Sequence, residues 1–356
     1  MGDPGRVLLV APRSAGGIGR HVASLAAGLR RRGVAVADPG PVGPRSLLRP
    51  RSLLRLRAAA RRVDVVHAHG LRAGLVASFA LGRSRPGRPP LLVTWHNVVP
   101  VTGWRRRVGA ALAQAVARRA EVTLVASPDL AHRARELGAR DVRYSPVAAP
   151  ARTPPRRDRE SVRAELGARD RPLVLAVGRL AEQKDYPLLL DAARLLAGRD
   201  PVPLVVIAGE GPLRGALARR IEGERLPVRL LGERDDVADL LAAADVVAMT
   251  SSWEARPLVA QEALAAGVPL VATAVGGVSD LVGDAALLVA PEVGAGAAQV
   301  AAAVSRVLDS PALAAELVER GRRRAASWPG EDDTVAAVLS AYTAALARRS
   351  GRRPRR

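Results

Sequence analysis

The chain has 356 residues, 48% of them hydrophobic and only 2% aromatic, with no cysteine and a formal net charge of +21 at pH 7. That length allows two or perhaps three domains, whose cores must be built from Leu, Val, Ala and Ile. The absence of cysteine excludes a disulfide framework, a thiolate metal site and a cysteine nucleophile.

The first half alternates short apolar runs with segments of helical spacing. "RVLLVAP" reads as a buried strand ending at Pro12, and "AGGIGRHVASLAAGLRRRG" as a glycine turn followed by a helix. Val22, Leu25, Ala26 and Leu29 share one face of that helix, and Gly33 suits its end. "VDVVHAHG", "PLLVTWHN" and "EVTLVAS" are further buried strands, each followed by a helical segment, which predicts a parallel sheet. The Pro- and Arg-rich stretch 145–160 reads as a linker.

A second alternation begins after it. Strands are expected in "PLVLAVGRL", "PLVVIAGEGP", "VRLLGE", "DVVAMTSS", "PLVATAVGG" and "AALLVAP". Helices are expected over 187–196, 213–221, near 237–243 and over 258–266, with an amphipathic helix near 333–347. The fold class is α/β: two doubly wound Rossmann-like domains facing a cleft. Ligands in such sheets lie outside the carboxyl ends of the strands, so the cleft is the expected site. The expected boundaries are 1–150, a linker 151–170, a second domain 171–330, a terminal helix 331–347 and a basic tail 348–356. No uninterrupted apolar run reaches the roughly 18 residues of a membrane-spanning helix. The apolar run after Arg6 is too short for a secretion signal, so a cytoplasmic location is expected.

Positive charge is unevenly spread. Residues 1–150 hold 26 arginines against seven acidic residues, a net of +19, whereas the remainder nets +2. Nearly every positive charge is Arg; the single lysine is Lys184, in "GRLAEQKDYPLLL". A compact ammonium differs from a planar guanidinium fork, so one Lys among 54 Arg marks a position worth explaining.

The densest chemistry lies in "TSSWEARPLVAQEALAAGVPLVATAVGG", residues 250–277. Pro257 suits the first position of a helix and Gly267 its end. Backbone N–H groups around Leu258 and Val259 would form a diphosphate site. Glu254 precedes the helix and Glu262 lies inside it, where an acid can hold ribose hydroxyls. The blander alternatives are a dipole-favoured acid for Glu254 and a surface residue for Glu262.

This Glu-x7-Glu stretch resembles the signature of family 4 glycosyltransferases, retaining enzymes of the GT-B fold. "GGIGRH", "DVVHAHG", "VTWHN", "VGRLAEQKDYPLLL", "IAGEGPLR", "AVGGVSDLV" and "SWPGEDDTVAAVLSAY" follow in the family's order, over roughly residues 6–345. The resemblance implies that the terminal helix returns to the N-terminal domain. It implies that Arg179 and Lys184 grip the donor's two phosphates, that Glu262 holds the ribose and that Glu254 holds the sugar. It places Gly16, Gly17 and Gly209 at the donor and His96 beside sugar and acceptor. It requires no metal and no cofactor; the donor is a nucleotide-diphosphate sugar such as a UDP- or GDP-hexose. The chain departs from the pattern at Ala255, where the family has Gly. Arg256 beside it faces either sugar or solvent.

In that family the N-terminal half receives the acceptor. Here it carries the basic charge, and "TGWRRRVGAALAQAVARRA" sets Trp104 beside Arg105, Arg106 and Arg107 at the head of a helix. This suits an interfacial helix on anionic lipid, so a lipid or lipid-linked glycan acceptor and an anionic membrane surface are the expected partners, with peripheral placement on the membrane's inner face. Solvated arginines are the alternative. Arg20 and His69 join the acceptor side; His69 is taken to lie on the opposite face of its strand from His67, which is read as packed. His21 and His132 are read as structural or exposed. A sugar-nucleotide 2-epimerase shares the fold and remains the alternative function. A nucleic-acid-binding protein is disfavoured because the basic segments lack interleaved aromatics. A nicotinamide dehydrogenase lacks its glycine fingerprint.

Overall fold

The computed structural model describes residues 4–11, 17–37, 50–82, 87–96, 103–145, 147–148, 153–290 and 296–350. The chain divides into two compact units, Met1–Ala148 with Pro329–Arg356, and Ala149–Trp328. Each is an α/β unit on a parallel six-stranded sheet.

The first unit runs β1 (Arg6–Val10), α1 (Gly17–Arg31), β2 (Ala35–Ala37), α2 (Pro50–Ala60), β3 (Val65–His69), α3 (Leu71–Leu81), β4 (Leu91–Trp95), α4 (Gly103–Arg119), β5 (Val122–Val125), α5 (Pro128–Glu136) and β6 (Val142–Tyr144). The strand order is β2-β1-β3-β4-β5-β6, so the chain reverses its direction of growth between β1 and β3. Every residue of β3, β4 and β5 is buried. This is why these strands are near-continuous apolar runs: helices cover both faces of a parallel sheet. On α1, Leu25, Ala26 and Leu29 enter the core, with Val22 packed against it. Gly33 follows with φ 80°, a left-handed conformation that glycine adopts without a Cβ penalty.

The second unit runs α6 (Arg159–Leu166), β7 (Leu173–Val177), α7 (Tyr186–Leu196), β8 (Leu204–Ala208), α8 (Arg214–Gly223), β9 (Val228–Gly232), α9 (Val237–Ala243), β10 (Val246–Met249), α10 (Leu258–Ala266), β11 (Leu270–Thr273), α11 (Val278–Val282), β12 (Leu287–Val289), α12 (Gly296–Asp309) and α13 (Pro311–Ala326). Its order, β12-β11-β10-β7-β8-β9, puts the reversal between β7 and β10.

Three differences from the sequence reading have local causes. Within the stretch read as linker, 151–170, α6 forms because Asp158 caps it by accepting from Ser161 N at 2.8 Å and Gly167 ends it in a left-handed turn. Its Val162 and Leu166 are fully buried in the second unit's core. The helices α12 and α13 were not expected; alanine surrounds their apolar stripes, which on α12 consist of the buried Val300, Val304 and Val307. Finally, Pro257 is the residue before α10 rather than its first residue.

The last helix, α14 (Glu331–Ser350), belongs to the first unit. Val335, Val338, Ala341, Tyr342 and Ala345 are buried among Val7, Leu9, Leu25 and Leu29. Its ends are fixed by charge: Glu331 accepts from Ser24 Oγ at 2.7 Å and faces Arg31, and Arg349 pairs with Glu121 at 2.8 Å. The acids lie in the first turn and the arginines in the last, as the helix dipole favours. Gly28 lets α1 and α14 approach, since a Cβ there would stand 2.4 Å from Val335 Cγ2. Gly28→Val should therefore destabilise the protein by about 1–3 kcal/mol, read as a lower denaturation midpoint. An unchanged midpoint would show that the two helices do not need this contact.

Candidate active site

In the second unit, polar side chains gather at the carboxyl ends of β7 and β10, the neighbouring strands between which the chain reverses. That is where an open parallel sheet leaves a crevice for ligand. After β7 the chain turns at Gly178 and makes a 3-10 turn, Glu182–Lys184, before α7. After β10, residues 250–257 lead into α10.

These two turns are tied together. Lys184 Nζ donates to Glu254 Oε1 at 2.6 Å, with the side chains 20% and 10% exposed. Ser251 Oγ donates to the same oxygen at 2.9 Å. Gln183 Nε2 donates to Trp253 O at 2.7 Å, and Ser252 N returns a bond to Gln183 O at 2.8 Å. Asp185, at φ 45°, ends the 3-10 turn and caps α7 by accepting from Leu188 N. Two glycines let neighbouring backbone pack against these turns. A Cβ on Gly209 would lie 2.0 Å from Gly178 O, and one on Gly276 would lie 2.1 Å from Glu254 O. Tyr186 donates to Gly178 O at 3.0 Å; burial, reinforced by Glu254, raises its phenol above the ordinary range.

Other residues expected at the donor lie on the turn after β7 and on α10. Arg179 is exposed one residue after Gly178. Leu258 and Val259 open α10, and no side-chain cap from Pro257 occupies the first-turn N–H groups. Glu262 is half-buried in the second turn of that helix. The Arg256 guanidinium lies over the Trp328 ring, 5.6 Å from its centroid, a cation–π contact. Ser251 and Gln183 were not singled out from the sequence; their one signal was adjacency to Glu254 and Lys184.

The first unit gathers histidines at its own point of reversal. Residues two apart in a strand share a face, so His67 and His69 lie side by side rather than opposite, with ring centroids 4.2 Å apart. His69 Nδ1 and His96 Nε2 are 3.2 Å apart, His96 following directly on β4. His21, read as structural or exposed, joins them from α1, with ring centroids 5.6 Å from His69 and 5.2 Å from His96. His67 Nδ1 bonds Tyr342 Oη at 2.8 Å and its Nε2 bonds Thr94 Oγ1 at 2.7 Å. Burial lowers all four imidazoles, His21 to about 4 and His67 to about 3. His69 and His96 fall well below 6.5, first by burial and then by neighbouring imidazoles.

Gly17 opens α1; Gly16 lies outside the described residues. Arg20 and Arg107 are exposed. Trp104, Arg105 and Arg106 fall in the first turn of α4, with side chains outside what is described.

Two doubly wound units, each with polar groups at its switch point, define the GT-B architecture. Residues 37–150 match the family described as glycosyl transferase 4-like domain, and residues 158–324 match glycosyl transferases group 1. The chain is 34% identical over 190 residues to alpha-D-kanosaminyltransferase of Streptomyces kanamyceticus, a match covering 51% of this chain and 48% of that protein. It is 33% identical over 324 residues to D-inositol 3-phosphate glycosyltransferase of Salinispora arenicola, covering 81% and 70%. The structure of HepE from Anabaena in complex with UDP and glucose superposes with a TM-score of 0.78 at 21% identity, covering 95% and 99%. The chain belongs to the GT-B glycosyltransferases of family 4 type.

The histidine cluster carries a pH dependence. Imidazoles that protonate near 6.5 when unfolded, but only near 4 or 3 when folded, make the unfolded state bind more protons between those values. Stability from the neutral cluster is complete above pH 6.5 and is lost as the pH falls toward 4. Urea unfolding should therefore show a lower midpoint at about pH 5 than at about pH 7.5. An equal midpoint would mean that these rings are not held neutral.

Proposed function

We propose that the protein is a retaining glycosyltransferase that moves a hexosyl unit from a nucleotide-diphosphate sugar, a UDP- or GDP-hexose, to an acceptor. The observation that carries this reading is the Lys184–Glu254 pair beside the N-terminus of α10. Three ammonium donors let Lys184 keep Glu254 while turning another N–H toward a phosphate oxygen. First-turn N–H groups at Leu258 and Val259, with Arg179, complete the positive environment of a departing diphosphate. Glu254, held by Lys184 and Ser251, orients the sugar's hydroxyls rather than serving as a free nucleophile. The acceptor then attacks from the face the diphosphate leaves, and a phosphate oxygen takes its proton. Glu262 holds the ribose, and His96 serves the sugar and acceptor. Charge on the leaving group is met by Lys, Arg and backbone N–H groups, so this step calls for no metal. HepE, crystallised with UDP and glucose, agrees with a uridine donor.

A membrane-associated lipid or cell-envelope glycan is the proposed acceptor. The neighbouring helices α2, α3 and α4 expose Leu54, Phe79, Val108 and Leu112 among exposed Arg51, Arg55 and Arg107. Apolar side chains set among arginines suit peripheral docking on anionic headgroups. No helix among the described residues is long and apolar enough to cross a membrane.

Three experiments test these proposals. Lys184→Arg keeps the charge but replaces a compact ammonium by a wide fork at a site where Lys184 Cε is already 3.0 Å from where a Gly178 Cβ would be. Transfer should fall about 100-fold or more, and Glu262→Ala should abolish the thermal stabilisation that UDP or GDP gives the wild type. Near-wild-type activity in the first variant, or nucleotide affinity in the second, would remove the assignment. For the membrane, flotation with anionic vesicles should carry the protein and neutral vesicles should not; equal binding to both at moderate salt would sink the docking proposal.

A further inference from the structure

Four of the chain's five histidines stand together in the first unit. A buried polar atom without a hydrogen bond costs about 1–3 kcal/mol, so imidazoles are poor filling for a core unless their nitrogens are used. His67 meets this condition on both nitrogens, through Tyr342 and Thr94. His69 does not. Its ring is fully buried: its Nδ1 meets the His96 ring at 3.2 Å, and its Nε2 has no hydrogen-bond partner. One ring nitrogen from each of His21, His69 and His96 lies within 4.8 Å of those of the other two.

We propose that His21, His69 and His96 form a binding site for one first-row transition-metal dication, Zn²⁺ or Co²⁺. Zinc–nitrogen bonds of about 2.0–2.1 Å set tetrahedral ligand nitrogens roughly 3.4 Å apart. His69 Nδ1 and His96 Nε2, hydrogen-bonded at 3.2 Å, already have that spacing, and the ion would replace the proton between them. The widest separation closes with a side-chain shift of about an ångström, small beside the freedom of a histidine χ angle. The ligands come from α1, from the end of β3 and from the residue after β4, three elements fixed by the sheet. Burial leaves the imidazoles unprotonated at neutral pH, with their lone pairs available.

Ligand chemistry selects the ion. An all-imidazole set suits zinc, cobalt, nickel or copper and is poor for magnesium or calcium, which demand oxygen. Three histidines leave a fourth position open, as in zinc sites that bind water or substrate. Neutral ligands leave the ion's full charge uncompensated, so that position takes an anionic oxygen, from hydroxide or from phosphate. His67, which touches His69 and is anchored to Tyr342 on α14, supports the set from behind. A metal held here occupies His96. If His96 serves the acceptor, as the transfer reading has it, zinc inhibits transfer; the binding itself does not depend on that reading.

The test is a titration of tag-free, chelator-stripped protein with Co²⁺, followed by its visible d–d absorption, and with Zn²⁺ in competition with a colorimetric chelator. About one equivalent should bind saturably, unaffected by excess Mg²⁺. His69→Ala and His21→Gln should each weaken binding at least about tenfold. His132→Ala, at an exposed histidine paired with Glu136, should leave it unchanged. The wild-type titration decides alone if a variant fails to fold. Well under half an equivalent in the wild type would overturn the site. So would unchanged binding in a folded His69→Ala protein, which would place the ion elsewhere. Neither outcome bears on glycosyl transfer, which the nucleotide experiments test separately.

Discussion

The ion pair between Lys184 and Glu254 sets the geometry of the second unit's site. Its groups belong to turns that leave adjacent strands, so closing it at 2.6 Å fixes the position of both turns. Such a pair, largely withdrawn from water, is a poor source of net stability, but removing one partner leaves the other charge stranded at a cost of about 3–5 kcal/mol. The surrounding structure is built to tolerate it. Ser251 adds a donor to the carboxylate, Gln183 and Ser252 fasten the turns by three further bonds, and the bare Cα atoms of Gly209 and Gly276 let neighbouring backbone press in. The same pair explains why one lysine survives in a chain of arginines. The position must hold a carboxylate in a confined space, which a compact ammonium does and a rigid planar fork does poorly.

The two units solve one problem with different chemistry. Each places its polar groups at the carboxyl ends of its strands, beside the reversal in strand order. The second uses charges and keeps them partly wet. The first uses imidazoles whose burial holds them neutral, so no counter-charge is needed. Tyr342 links that cluster to α14, and the helix that completes the first unit's core also anchors its most buried polar ring.

Much of this was legible in the sequence because parallel strands must be apolar on both faces. The valine-rich runs located ten of the twelve strands; β2 and β6, three residues each, were too short to register. The segment Leu258–Ala266 appeared with its observed bounds, since a proline and a glycine flank it. The helices α12 and α13 are the counterexample: Val300, Val304 and Val307 stand at helical spacing on α12 and could have marked it. In the site, Lys184 and Glu254 were each identifiable, but their bond was not. Seventy residues separate them, and a motif assigns roles to positions without saying which side chains meet before ligand arrives. The histidines show the converse: a correct application of strand periodicity would have put His67 and His69 on one face and made the cluster visible.

Folding also redistributes the charge in a way that linear halves understate. The terminal segment Pro329–Arg356 joins the first unit, which then holds 32 arginines against ten acidic residues, a net of +22. The second unit is left near neutrality, at −1. Some of these arginines have structural partners: Arg31 and Arg32 face Glu331 and Asp332, Arg349 holds Glu121, and Arg348 and Arg143 share Asp141. With so few acids in the unit, most cannot be so paired, and their field reaches solvent. Screening confines it to about 8–10 Å at physiological salt, so it acts on an extended anionic surface more than on a small diffusing ligand. A small anion needs a local clamp instead, and the near-neutral unit is the one that sets Lys184, Arg179 and the start of α10 at the ends of adjacent strands. The surplus charge of the other unit is spread over a whole surface, so its physical effect is long-range attraction of anions rather than a local clamp.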